Sequence, residues 1–490
     1  MTDSPRPRVL FVTGRLAEFA LRKVLDDLAP RAGIEAQVAV LPITVAALMT
    51  PAWIAKRLET IEGLDRVILP GHCRGDLGAV AAKVPGAKVE VGPEDLRDLP
   101  RWFGGDRVEA AAERYGSYDI EILAEINHAP RLPLAELLRQ AREFAAQGAD
   151  LIDVGCEPGA PWAGVGEAVR ALRDEGLRVS IDSFDPDEVA QAVAAGAELV
   201  LSVNASNREA AKDWGAEVVA IPDGVGSLDG LDETVDALEM AGVRYRLDPI
   251  LEPIGFGFAE SLGRYLEARR RWPEAAMMMG VGNLTELTDV DSAGINALLM
   301  GFCQEQRIFS VLTTAVINWA RSSVRELDLA RRLARFAVAN RLPPKRVDPG
   351  LVMLRDPKLE RFGPDDLAEL QRRIRDPNWR IFAEDGLVYA LNNQHFLSGA
   401  DPFAIFEAMG VSDASHAFYL GWEMMKARTA LTLGKAYRQD QALAWGFLTE
   451  PEKVHRLQRG PVGRAVGPSP SKPPTPESGP ASTPEEDDRA

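Results

Sequence analysis

The chain has 490 residues, room for two or three domains, and its 46 % apolar content supports sizeable cores. With 56 basic against 73 acidic side chains the net charge is −17, which excludes broad nucleic-acid binding; no aromatics interleave with basic runs to make a single-strand stacking platform. Three scattered cysteines (Cys73, Cys156, Cys303) without CxxC exclude a disulfide framework or a thiolate zinc site. No apolar run reaches membrane-span length and no basic-then-apolar leader is present, so a cytoplasmic protein with no membrane partner is expected.

Residues 1–105 read as a doubly wound, flavodoxin/Rossmann-like α/β domain. Strands are predicted over 8–13, 36–41, 66–69 and 87–91, with helices over 17–28, over 53–61 and from 93. Its strand-end loops carry Thr13-Gly-Arg15 and Pro70-Gly-His-Cys-Arg-Gly-Asp76. Turn chemistry accounts for these glycines, with an anion cradle as the other reading, and neither GxGxxG nor GxxxxGK[ST] occurs. A linker over roughly 102–118 follows.

Residues 119–340 alternate short apolar strands with helices eight times. Several strands end in one polar residue: Glu125-Ile-Asn127, Leu151-Ile-Asp153, Val179-Ser-Ile-Asp182, Leu201-Ser-Val-Asn204, Tyr245-Arg-Leu-Asp248 and the methionine run into Gly280-Val-Gly-Asn283. Parallel strands covered on both faces stay apolar to their last residue, and polar groups just beyond belong to the mouth of a (β/α)8 TIM barrel. A single Asp there is ordinarily a helix cap, a reading kept for Ser183, Ser206 and Asp223, but the repetition on successive strands points to a site. A buried carboxylate accepts from two adjacent N–H donors, as on a 2-amino-4-oxo pyrimidine edge, and a neighbouring carboxamide both donates and accepts. Asp248 suits the first task, with Asn204, Asp182 and Asn283 around the ring. The alternative is a divalent metal held by Asp153, Glu157, Asp182 and Asp248.

Residues 341–458 read as a small C-terminal α/β domain. It should contain a hairpin around Asp385-Gly386, a helix over 402–408 and a longer helix over 416–433 that is apolar on nearly every face and therefore expected to be buried. His416 is expected to serve capping or core hydrogen bonding rather than a ligand. Residues 459–490, rich in Pro, Ser and Glu, are expected to be disordered.

Several of these stretches resemble the pterin-binding barrels, which comprise dihydropteroate synthases and methyl-tetrahydropterin methyltransferases. The matching motifs are Asn127-His-Ala-Pro130, Gly148-Ala-Asp-Leu-Ile-Asp-Val-Gly155 with Glu157, Val179-Ser-Ile-Asp182-Ser-Phe, Ala195 through Asn204, and Leu247-Asp-Pro-Ile with Gly255-Phe-Gly257. The resemblance implies that Asp182, Asn204, Asp248 and Asn283, with Asp153 and Glu157, hold the pterin. It also implies that Asn127 helps place a diphosphate through Mg²⁺. The chain departs from the synthases after strand seven, where Gly280-Val-Gly-Asn283 replaces Ser-Arg-Lys, and after strand eight, where Arg-x-His is missing and Arg321 is the nearest arginine. The three-part layout resembles the dihydropteroate synthase-related proteins of methanopterin-using organisms.

That likeness implies a transferase of tetrahydromethanopterin biosynthesis, in one-carbon metabolism, which joins a dihydropterin-methyl diphosphate to an arylamine. Asn127 and Arg321 would be its catalytic residues, a reduced pterin and an arylamine its small-molecule partners, and a homodimer its assembly by analogy. A methyl-tetrahydropterin methyltransferase and a non-catalytic pterin carrier or assembly subunit are the alternatives.

Overall fold

The computed structural model describes residues 6–104 and 115–452. Most of the expected linker and the whole 459–490 tail lie outside the described residues. Two compact units result, Met1–Val352 and Met353–Ala490. The first holds both the N-terminal sheet and the barrel.

In the N-terminal part, β1 (Arg8–Gly14), β2 (Glu35–Leu41), β3 (Arg66–Leu69) and β4 (Lys88–Val91) form a parallel sheet in the order β2-β1-β3-β4. Alternation along β1 feeds two cores, Val9 and Phe11 on one face and Leu10 and Val12 on the other, so both faces are covered, as in a doubly wound sheet. Helix α1 (Glu18–Ala32) buries Ala20, Leu21, Leu25 and Leu28 and stops at Gly33, whose φ of 63° is the left-handed position that favours glycine. Two expectations change. The helix over 53–61 shrinks to α2 (Pro51–Ala55), because the Arg57 and Leu58 amides both close on the Ile54 carbonyl and end it. No helix starts at Pro93, whose carbonyl packs against Gly71; the chain turns helical only from Leu96–Asp98 into α4 (Leu99–Trp102), after the short α3 (Gly78–Ala81).

The barrel closes from eight parallel strands: β5 (Glu121–Ile126), β6 (Leu151–Gly155), β7 (Val179–Asp182), β8 (Leu199–Val203), β9 (Glu217–Ala220), β10 (Tyr245–Leu247), β11 (Ala276–Gly280) and β12 (Ser310–Thr313). Its interior is layered. At the floor, Glu121 pairs with Arg178 at 2.8 Å and Arg246 at 2.9 Å, and Arg246 also binds Glu217 at 2.8 Å and the Ser310 hydroxyl at 2.9 Å. Above it lies a dry layer of Leu123, Leu151, Leu199, Leu201, Val219 and Met278. The next inward positions, one pleat further along, carry Glu125, Asp153, Asp182 and Asp248, with Glu125 opposite Asp153 and Gly155 opposite Asp182 in register. The remaining strand side chains pack outward against the helices in the largest core.

The last barrel helix (Ser323–Asn340) closes the ring through Arg331, a guanidinium only 1 % exposed. It donates to Asp150 at 2.5 Å, to Asp328 at 2.8 Å and to the carbonyls of Ile120 at 2.7 Å and Gly148 at 3.0 Å, beneath the Tyr118 ring at 3.5 Å. Every donor direction is used, which is what allows a charge to be buried there.

In the second unit β13 (Arg380–Glu384) and β14 (Leu387–Leu391) make the expected hairpin, with φ of 47° at Asp385 and 81° at Gly386 as a type I′ turn requires. A third strand, β15 (Phe396–Gly399), extends it unforeseen. The 416–433 helix spans Ala414–Leu433 and is not buried all round. Leu420, Met424 and Ala427 enter the core, while Phe418, Trp422 and Met425 form an exposed stripe at helical spacing. Asp413, not His416, caps it, accepting the His416 amide at 2.7 Å; the His416 ring stacks on Tyr419.

Candidate functional site

Each polar residue at the mouth is held by a specific local device. Asp248 leaves β10 at 4 % exposure, and its Oδ1 accepts the Tyr265 hydroxyl at 2.6 Å and the Ile250 amide at 2.9 Å. That turn forces Ile250, a β-branched residue, to a φ of 64°. Asp182 accepts the Ser202 hydroxyl at 2.6 Å, and Ser202 in turn sits at φ 63° where β8 breaks register. Ser202 and Ile250, two of the non-glycine residues in the left-handed region, thus each serve a buried carboxylate; such strain costs about 1–3 kcal/mol each and persists where the surroundings impose it. Asp153 is fully buried. Its Oδ1 accepts from Ser180 at 2.6 Å and its Oδ2 has no partner.

Glu125, a residue the sequence reading gave no role, completes the group. Its carboxylate lies over Gly155, where an added Cβ would sit 2.5 Å from Oε1, so only glycine leaves it room. Burial, then the charges of Asp182 and Glu286, push its carboxyl up to about 7. Burial also raises Asp182, and it raises Asp153 further with the charges of Asp182 and Glu125; Asp248 is pushed up to about 6, mainly by burial, against the bonds from Tyr265 and Ile250. Glu286, also unforeseen, accepts from the Thr314 hydroxyl just past β12, the strand that pairs with β5.

The other expected residues fall at the rim. Asn127 keeps a buried Oδ1 without a partner. Glu157 is engaged by Arg131 and, at 3.3 Å, by His128, two basic groups on the loop after β5 that the sequence reading passed over. Asn204 has its Oδ1 committed to the Ser206 amide and hydroxyl, which leaves its Nδ2 for a ligand. Exposed Asn283 donates to the Leu251 carbonyl at 3.0 Å and so ties the β10 and β11 loops together. Arg321 is exposed just past the turn Asn318–Ala320. The caps are reassigned: Asp185 rather than Ser183 caps the helix Pro186–Ala194, and Ser183 donates to Glu188 instead. Ser206 bonds back to Asn204, and Asp223 accepts the Ala205 amide at 2.8 Å. A cavity of about 110 Å³ opens between Glu125, Gly155, Asp182 and the loop 156–161.

Among the described residues no group of three or more His, Cys, Asp or Glu is placed to hold a metal ion, so the four-carboxylate cage does not form. What does form is a tier of inward acceptors above a dry floor, with Glu125 and Asp182 lining the cavity and Asp248, Asn204 and Asn283 outside its lining. Such a tier suits a planar ring with several N–H donors.

That class is the one the comparisons give. Residues 128–239, within the barrel, match the family described as pterin binding enzyme. Residues 7–94 match a family of unknown function, and residues 402–440 one described as PterinBD-DUF4346. An uncharacterised protein of Methanocaldococcus jannaschii is 28 % identical, covering 88 % of this chain and 98 % of its own. Similar solved structures are dihydropteroate synthases. That of Xanthomonas albilineans in complex with 7,8-dihydropteroate is 19 % identical with a TM-score of 0.35, covering 45 % of this chain and 93 % of its own. That of Anaplasma phagocytophilum with 6-hydroxymethylpterin-monophosphate is 19 % identical with a TM-score of 0.35, covering 44 % and 98 %. Among the described residues no helix is long and apolar enough to cross a membrane.

Proposed function

We propose that this protein is a dihydropteroate synthase-like transferase of tetrahydromethanopterin biosynthesis, which joins a dihydropterin-methyl diphosphate to an arylamine. The observation that carries the pterin assignment is the ring of inward carboxylates, Asp153, Asp182 and Asp248, each fixed through one oxygen by Ser180, Ser202 or Tyr265. Asp248 accepts the 2-amino and ring N–H edge, and Asp182 with the Asn204 carboxamide takes the opposite edge. The diphosphate then lies over the loop after β5. There the orphaned Oδ1 of Asn127 fits a Mg²⁺ ion that the substrate's phosphates share, since this ion binds through few protein groups, and it would neutralise the leaving charge. Arg131 and His128 stand on the same loop in place of the basic residues missing after β11 and β12; Arg321 is the remaining candidate. Catalysis of this kind rests on orientation and on stabilising the leaving group. A full-length relative in Methanocaldococcus jannaschii supports the pathway.

One observation favours methyl transfer from a reduced pterin instead. The mouth gathers Glu125, Asp153, Asp182 and Glu286, a field that stabilises a protonated pterin ring better than a diphosphate. Incubating the full chain with dihydropterin-methyl diphosphate, Mg²⁺ and 4-aminobenzoate or a ribosylated arylamine separates the two readings. Release of diphosphate with a joined product is expected. Tight binding of methyl-tetrahydromethanopterin with no diphosphate release from the other substrate would replace the synthase by the second reading.

A further inference from the structure

The N-terminal sheet has a cavity of its own, of about 170 Å³, with no barrel residue in its lining. We propose that it is a second small-molecule site, which takes a single aromatic ring bearing one carboxylate or phenolate. Its position comes first. In the order β2-β1-β3-β4 the chain leaves β1 in both directions, so the switch point lies between β1 and β3. Doubly wound sheets bind ligands in the crevice beyond the strand ends at that point, and the cavity is walled there by Phe11 and Thr13 of β1 and by Ile68 and Leu69 of β3. Glycine permits the closure. A Cβ on Gly71 would lie 2.2 Å from the Pro93 carbonyl oxygen, so the loops after β3 and β4 meet only because that residue has none.

Size and chemistry set the ligand. An apolar cavity of about 150 Å³ accommodates benzene, so this one has room for one ring with a small substituent. The walls contributed by Phe11, Leu21, Ile68 and Leu99 are apolar. The Thr13 side chain, 3 % exposed, reaches only the neighbouring Gly14 carbonyl at 3.5 Å, the far edge of hydrogen-bonding range, so its proton can turn to a ligand oxygen at little cost. Ala17 and Leu21, at the start of the 15-residue helix α1, also line the space, and that helix has no side-chain cap; its first-turn amides add positive potential on the same side, and the first-turn carboxylate of Glu18 is paired with Arg22 at 3.0 Å. At the mouth, Glu94 is held by Arg74 at 3.0 Å with His72 at 3.8 Å, which offsets its charge. An acceptor group on an arene is therefore favoured over an amine. The inference stands apart from the pterin reading, because no residue is shared.

The test is ligand-observed NMR and calorimetry on the full chain with benzoate, 4-hydroxybenzoate, aniline and inorganic phosphate. Benzoate and 4-hydroxybenzoate should bind, with aniline at least tenfold weaker. Thr13→Val should raise the benzoate Kd at least tenfold and leave aniline unchanged, and Ala17→Phe should block every arene. An unaltered unfolding midpoint shows that each variant folds; if Ala17→Phe lowers it, Thr13→Val alone decides. Absence of arene binding, equal binding of phosphate and benzoate, or a Thr13→Val variant with wild-type preference would each overturn the proposal.

Discussion

Asp248 lets the pterin site be tested through protons. Its carboxyl is pushed up to about 6 by burial, and the Tyr265 hydroxyl at 2.6 Å is the first of the bonds that stabilise the charged form against that shift. If the ionised carboxylate is what accepts the pterin N–H pair, affinity should rise roughly tenfold per pH unit below 6 and level off above it. Tyr265→Phe removes one hydrogen bond to a charged acceptor, worth about 1.5–3 kcal/mol, which lifts the Asp248 pKa by about 1–2 units. At pH 7 the wild-type group is about nine-tenths ionised; in the variant the ionised fraction falls to between about a half and a tenth, so affinity drops by about two- to tenfold. The loss is recovered at pH 9. Folding carries the opposite sign. A native-state pKa raised above the ordinary 3.8 means that the stability it contributes is present below about 4 and lost as the pH rises through about 6. Calorimetric titration of the full chain with a reduced pterin from pH 5 to 9, for wild type, Tyr265→Phe and Asp248→Asn, checks this. A pH-flat wild type, or a Tyr265→Phe midpoint equal to that of wild type, would refute the role given to Asp248.

Gly155→Ala places a methyl group where Glu125 now rests, and because Glu125 is a flexible side chain the barrel should fold while pterin affinity falls several-fold; calorimetry reading wild-type affinity would show that Glu125 is not part of the site. Arg331→Met removes the arginine shared by Asp150 and Asp328, although Asp328 keeps Arg332 at 2.8 Å, and should cost up to about 3–5 kcal/mol in chemical denaturation, with a loss under about 1 kcal/mol counting against its role as the barrel's clasp. Asp385→Asn keeps a left-handed turn residue in the hairpin, so unit two should unfold within about 0.5 kcal/mol of wild type, whereas Asp385→Val should lose about 1–2 kcal/mol by thermal melting.

The eight barrel strands were legible because a parallel strand covered on both faces is mostly apolar and carries a carboxylate at or near its end, as at Asp182 and Asp248, although Asp153 lies two residues inside β6. Glu125 was missed for the same reason: it interrupts β5 before its last residue and reads as a strand-end polar group of no special kind. The available signal was alternation, since Leu123 and Glu125 share the inward face and Glu125 falls opposite Asp153. Tyr265 and Ser202 could not be found from sequence, because one lies on the helix after β10 and the other at a bulge, and only folding brings them to their carboxylates. The Ala414–Leu433 helix misled in the other direction. Apolar residues on most faces suggested burial, yet periodicity cannot say how many neighbours a helix has, and the second unit covers only one side of it.

The floor of the barrel has a kinetic consequence. Glu121, Arg178, Arg246 and Glu217 pair beneath a solid leucine and methionine layer, so the chamber has one door. Two reactants that must lie one above the other in a vessel of that shape cannot enter in either order. The deeper one goes in first, and it is trapped until whatever sits above it has left. Any two-substrate reaction run here should follow compulsory-order kinetics with the ring-bearing substrate leading, and an excess of the second reactant should slow the exchange of the first.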